Sequence, residues 1–187
     1  LVDLQINGYL HHDLNDGTVT PERVAALTET QLALGTTTYL PTFVTNSEIN
    51  ITNGLLAVRT ARQHYPRVAS AVPAVHVEGP FISPHDGARG AHQAEHVRDA
   101  DSGEFDRWQA ASGGLVGLLT LSPHSDAAIA LVRHASAARV HVALGKRSVF
   151  KDVDEPPTAS VVVRLRAGQT LSPLQVQGVR NLVAASI

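Results

Sequence analysis

Short apolar runs alternate with longer stretches of helical period through the first three quarters of the chain. This is the pattern of βα units on a parallel sheet. The apolar runs predict strands at Leu1–Ile6, Thr37–Val44, Pro73–Val77, Leu115–Leu121 and Arg139–Leu144. Between them the period predicts a helix from Pro21 to Leu34, with Thr20 as N-cap and Pro21 in its first turn. Further helices are expected over Ser47–Tyr65, Gly103–Ala111 and Asp126–Ala137.

The pattern changes near residue 146. Up to Gly145 the chain holds 9 Arg against 14 Asp plus Glu, net -5; beyond it the net charge is +3, both lysines appear and histidine is absent. The second segment reads as Ser148–Phe150, a turn around Asp152–Pro157, a strand Ala159–Leu165 and a helix opened by Ser172 and Pro173. Leu174, Val179, Leu182 and Val183 give that helix one apolar face, so the segment is expected to form a small ββα unit. Two domains follow, residues 1–145 and 146–187. A closed (β/α)₈ barrel needs roughly 250 residues. The expected fold class is therefore α/β: a partial (β/α)₈, TIM-type barrel of about five parallel strands, followed by the ββα unit. An incomplete barrel has two open edges, and these or the tail are where oligomerisation is expected.

Composition narrows the chemistry. With 187 residues, 43% of them hydrophobic, and a net charge of -2, the chain can bury a sizeable core and offers no basic surface for nucleic acid. No apolar run is long enough to span a membrane. The lack of a signal peptide before the first strand leads to the expectation of a cytoplasmic protein, and the lack of methionine to that of a piece of something longer. Because there is no cysteine, any metal must be held by carboxylates and by some of the ten histidines.

The most informative stretch is His76-Val77-Glu78-Gly79-Pro80-Phe81, at the C-terminal end of the third predicted strand. That end faces the active site in parallel α/β folds, so Glu78 is placed either to bind a metal or move a proton, or to be an ordinary strand-end residue. Gly87-Ala88-Arg89-Gly90-Ala91-His92 is a glycine-rich loop in which Arg89 or His92 could meet a substrate, or which is simply solvated. Gln5 and Asn7, two residues apart at the end of the first strand, point to the same side and suggest a polar lining. His11 and His12 are open to ligation or to solvent. His76 and His141 read as satisfied core or supporting groups; His64, His96 and His134 fall on helix faces or flanks, and His85 and His124 in loops. No P-loop, GxSxG or dinucleotide fingerprint is present.

Three blocks together resemble N-acetylglucosamine-6-phosphate deacetylase, of the amidohydrolase superfamily: Val2-Asp3-Leu4-Gln5-Ile6-Asn7-Gly8, Leu34-Gly35-Thr36-Thr37-Thr38-Tyr39-Leu40-Pro41-Thr42, and His76 to Phe81 with Gly90-Ala91-His92. The resemblance covers residues 1–145. It implies a barrel in which a divalent metal, zinc by preference, activates water against the N-acetyl group of an amino-sugar phosphate. It further implies Glu78 as a metal ligand, Ala91 and His92 as substrate-binding residues, and Gln5 and Asn7 as amides replacing the ligands of a second metal. The family's Gly-His at the end of strand five is Gly145-Lys146 here, and an ammonium repels a cation. The later ligand histidine and the catalytic aspartate belong to strands that the chain lacks. No catalytic residue is therefore assigned, and the fragment is expected to be inactive, since a catalytic zinc needs about three protein ligands.

The tail carries a second resemblance. Lys146-Arg147-Ser148-Val149-Phe150, Pro156 to Val163, Gly168, Leu171 to Gln177 and Asn181 to Ser186 are similar to the flagellar M-ring and type III secretion inner-ring lipoprotein family, which builds rings from small α/β modules. Ala138 to Leu144 suits both families. Three readings follow: a broken deacetylase with a foreign tail, a ring-assembly fragment with a foreign front, or a chimera without selected function.

Overall fold

The computed structural model describes residues 1–137 and the strand 141–144, with side chains through residue 136. The chain divides into two units, Leu1–Ser148 and Val149–Ile187, and every described element lies in the first. The expected ββα unit and Lys146 lie outside the described residues.

Five parallel strands are β1 (Val2–Ile6), β4 (Thr38–Val44), β5 (Val75–Glu78), β6 (Val116–Leu121) and β7 (His141–Leu144), ordered β1-β4-β5-β6-β7. A two-stranded hairpin, β2 (Gly8–Tyr9) with β3 (His12–Asp13), follows β1. The helices are α1 (Pro21–Ala33), α2 (Glu48–His64), α3 (Pro66–Ala71), α4 (Ser102–Ser112) and α5 (Asp126–Ala137). Each long parallel strand lies beside the one before it in the chain. A doubly wound sheet reverses direction from its centre; this one grows one way, as a barrel wall does.

Local chemistry explains the boundaries. Thr20 caps α1 by accepting from the Arg23 N–H at 3.3 Å, and Pro21, which has no N–H to satisfy, is its first residue. Ser47 caps α2 and Asp101 caps α4 in the same way. Pro66 ends α2 and opens α3, a short helix that the periodicity did not predict. The hairpin was also unpredicted, its strands being too short to show alternation. Pro41 carries no N–H in the middle of β4, and opposite it, between Asp3 and Ile6, the β1 ladder loses its register.

One apolar core joins the sheet to its helices. Leu27 of α1, Phe43 of β4, Leu55 and Val58 of α2, Phe105 and Trp108 of α4, Leu119 of β6 and Leu131 of α5 are all buried in it. The Tyr39 hydroxyl shares a hydrogen bond with Thr28 at 2.9 Å, and burial pushes its pKa up to about 12. β4 is buried along its length, whereas β1 has exposed residues on both faces, Leu4 among them. Helix α2 approaches β4 so closely that a Cβ at Gly54 would lie 2.2 Å from the Phe43 ring.

Gly54→Ala tests that contact. Alanine gains about 1 kcal/mol in helix propensity, but overpacking costs about 1–3 kcal/mol. At 2.2 Å from an aromatic ring, the second effect is expected to win. Urea denaturation should show a net loss of roughly 1–2 kcal/mol; a stabilised variant would mean that α2 is not seated on Phe43.

Candidate functional site

The C-terminal ends of β1, β4 and β5 open into a cleft of about 470 Å³ lined by Gln5, Asn7, Asp13, Asn15, Val44, Thr45, Asn46, Glu78, Ala91, His92 and Gln93. Five of the residues singled out from the sequence, Gln5, Asn7, Glu78, Ala91 and His92, therefore stand around one space. Parallel pairing is what gathers them. Val44 is in register with Glu78, and Gln5 reaches past the end of β4 to donate from Nε2 to Glu78 Oε2 at 2.7 Å.

Two asparagines that sequence reasoning missed hold the rim. Asn15 accepts from the Val44 N–H at 2.8 Å and donates to the carbonyls of Asn7 and Thr42 at 3.2 and 3.1 Å. One side chain thus ties the end of β1 to that of β4. Asn46 donates to the Asn15 carbonyl at 3.2 Å and accepts from the Ser47 N–H and the Asn50 amide. Arg98, outside the lining, braces Asn46. It pairs with the buried Glu104 carboxylate and donates to the carbonyls of Asn46 and His96 at 3.0 and 2.7 Å. An asparagine in a turn is ordinary loop chemistry, so nothing in the sequence marked these as site-building residues.

After Glu78 the chain turns sharply through Gly79, at φ +79°, and a cis Gly79–Pro80 bond. A Cβ at Gly79 would stand 2.1 Å from the Thr45 hydroxyl, which explains the glycine. Beyond the turn, Phe81 stacks on buried Trp108 with centroids 5.1 Å apart, anchoring the loop to the core.

The remaining candidates disperse. Arg89 pairs with Asp86 and bonds the Pro84 carbonyl within its own loop, and it does not line the cleft. His11 and His12 belong to the hairpin turn and β3, outside the lining. His134 bonds Asp106 at 2.7 Å, and His124 bonds the Ser122 carbonyl. His76 lies below the cleft, buried between strands: its Nε2 is 2.8 Å from the Thr120 hydroxyl and its Nδ1 3.4 Å from that of Thr42. Burial lowers its pKa to about 4, partly opposed by an interaction with the Leu4 backbone.

The donor set does not suit a metal. Among the described residues no group of three or more His, Asp or Glu converges on one point. At the cleft, Glu78 accepts a hydrogen bond from Gln5 and Asp13 one from the Asn15 N–H, and apart from these carboxylates and His92 the polar lining is mostly amides. Amides are poor substitutes for imidazole or carboxylate as zinc ligands.

Comparisons with known proteins divide the chain in two. The N-terminal part matches N-acetylglucosamine-6-phosphate deacetylases. That of Bacillus subtilis (strain 168) is 33% identical over 113 residues, covering 59% of this chain and 28% of the relative. The crystal structure of the Mycobacterium smegmatis enzyme superposes on 76% of this chain and 38% of its own, with a TM-score of 0.65 and 26% identity. A mutant of it has been solved in complex with N-acetyl-D-glucosamine-6-phosphate. The C-terminal part matches the family described as secretory protein of YscJ/FliF RBM domain, over residues 126–187. Within this part the flagellar M-ring protein of Pseudomonas aeruginosa is 46% identical over 59 residues, which are 32% of this chain and 10% of the relative. The chain thus spans well under half the length of the deacetylases and about a tenth of the M-ring protein. The expected partial TIM-type barrel and both expected resemblances are borne out.

The position of His76 gives a pH dependence. Its folded pKa, about 4, lies below the 6.5 of an unperturbed histidine, so the unfolded chain binds the proton first as pH falls. Stability present above pH 6.5 is lost as pH drops towards about 4. Between pH 7 and about pH 4.5 the loss should be roughly 2–3 kcal/mol in denaturant titrations. His76→Gln should remove that share of the slope; an unchanged slope would mean that His76 is not buried in its neutral form.

Proposed function

We propose that the chain joins the front of an N-acetylglucosamine-6-phosphate deacetylase to a segment of an M-ring-type module, and that the front keeps the substrate cleft without the means to turn substrate over. The observation that carries this reading is the gathering of Gln5, Asn7, Glu78, Ala91 and His92 around one cleft, with no set of metal ligands among the described residues. In the intact family a divalent metal, zinc by preference, polarises the amide carbonyl and supplies hydroxide near neutral pH.

On this reading Glu78 is what remains of the metal centre, Ala91 and His92 of the sugar contact, and Gln5 and Asn7 stand where a second metal would otherwise be bound. The small-molecule partner by resemblance is an amino-sugar phosphate, and a cytoplasmic location accords with a substrate of that kind. No helix among the described residues is long and apolar enough to cross a membrane.

Ring assembly is the second reading. It is favoured by the family match from Asp126 to the last residue, which takes in α5 as well as the tail. Light scattering on the purified chain separates the two: the deacetylase-type reading expects no ring-sized oligomer, and a closed multimer of high order would favour the other.

Acetate release from N-acetylglucosamine 6-phosphate with added zinc tests the main proposal. The chain should show no turnover beyond that of a Glu78→Ala control, because a hydroxide-generating centre contributes orders of magnitude that one carboxylate cannot replace. Turnover well above the control would overturn the reading.

A further inference from the structure

The sequence holds two Asn-Gly pairs, Asn7-Gly8 and Asn53-Gly54, and the fold treats them in opposite ways. Glycine has no side chain to shield its backbone nitrogen, so that nitrogen can close a five-membered ring onto the side-chain carbonyl of the asparagine before it. The ring forms only where the glycine N–H is free and the asparagine side chain can turn to meet it. Asn53-Gly54 fails this requirement. Both residues lie inside α2, where the Gly54 N–H belongs to the helical ladder, and Gly54 is buried against the Phe43 ring.

Asn7-Gly8 meets it. The Leu14 N–H donates to the Asn7 carbonyl at 3.1 Å, which makes residues 7 and 14 a hydrogen-bonded pair. The next pair of this antiparallel hairpin, Gly8 with Asp13, is then a non-hydrogen-bonded one, and the Gly8 N–H is not tied to β3. The Asn7 side chain is exposed and forms no hydrogen bond to the other described residues. Its backbone carbonyl accepts a second bond, from the Asn15 amide at 3.2 Å. Two donors on that carbonyl draw electron density from the Gly8 nitrogen and make its N–H more acidic. Gly8 is itself required by the fold, because at φ +150° a Cβ there would stand 2.7 Å from the His12 carbonyl oxygen.

We propose that Asn7 is a site of spontaneous deamidation in the folded chain, while Asn53 is protected. The Gly8 nitrogen, its proton lost to solvent base, attacks Asn7 Cγ. The Cγ–Nδ2 bond breaks, ammonia leaves with a proton taken from water, and a succinimide remains. Water then opens the ring at either carbonyl, giving aspartate or, with the chain rerouted through the former side chain, isoaspartate. The titratable groups already lining the cleft are Asp13, Glu78 and His92, so the reaction adds a third carboxylate and raises the cost of ionising all three together. Isoaspartate also inserts a methylene into the backbone, which moves the carbonyl away from Leu14 and Asn15. The modification is independent of what the cleft binds.

Peptide mapping by mass spectrometry tests it, on the full chain incubated at mildly alkaline pH, folded in buffer and unfolded in urea. Fragmentation assigns each gain of one mass unit to its residue. Asn7 should react about as fast in the folded chain as in urea. Asn53 should react at least about tenfold more slowly when folded, since α2 must first open locally and about 1.4 kcal/mol of opening free energy slows a rate tenfold. In urea the two sites should react alike. Asn7→Gln, which would have to close a larger ring, should leave that position unchanged in mass, with circular dichroism confirming that the variant is folded. The proposal is overturned if Asn7 stays intact in the folded chain while reacting in urea, or if Asn53 reacts as fast as Asn7 without unfolding. A mass gain that persists at that peptide in folded Asn7→Gln would also overturn it.

Discussion

The cleft depends on the parallel pairing of β1, β4 and β5 at their C-terminal ends. Parallel strands place all their exits on one side, so residues tens of positions apart in the chain arrive as neighbours. The Gln5–Glu78 hydrogen bond, across 73 residues of sequence, exists only because β4 lies between the two strands with Val44 matched to Glu78. Where the β1 ladder slips beside Pro41, Asn15 takes over the fastening by bonding the ends of both strands. A side chain thus replaces pairing that the backbone gives up.

Polar groups below the cleft follow the same geometry. His76 and Glu78, two residues apart on β5, point to one side of the sheet, and His76 finds a hydroxyl on each neighbouring strand. A buried imidazole is tolerated there because it is neutral and partnered. Above it, Glu78 reaches the opening and meets an amide.

The strands were legible because a parallel sheet buries both faces of its inner strands, and β4 reads as a nearly unbroken apolar run. The cap Thr20 announced the start of α1, whereas Ser47, expected as the first residue of a helix, is the cap of α2. Helix α3 was hidden because six residues hold less than two turns, too few for a period to emerge. The hairpin was hidden for the same reason. At the site, residues within recognisable blocks, Glu78 and His92 among them, line the cleft. Asn15 and Asn46 were not legible, since their work is done by contacts that exist only after folding. Only Ala138–Leu144 read as suiting both families; the M-ring-type match begins further back, at Asp126, so that it takes in α5 as well as β7. Ala128, Leu131 and Ala135 of α5 are buried in the core here.

The contact of Gly54 with Phe43 has a consequence for how this chain can vary. A helix position where an aromatic ring fills the space of a Cβ changes by itself only at a cost in stability, and the ring cannot shrink without leaving a void. The two positions therefore form a single unit of inheritance. Related chains should carry either the pair as it stands or a larger residue at one site matched by a smaller one at the other, and mixed intermediates should be rare.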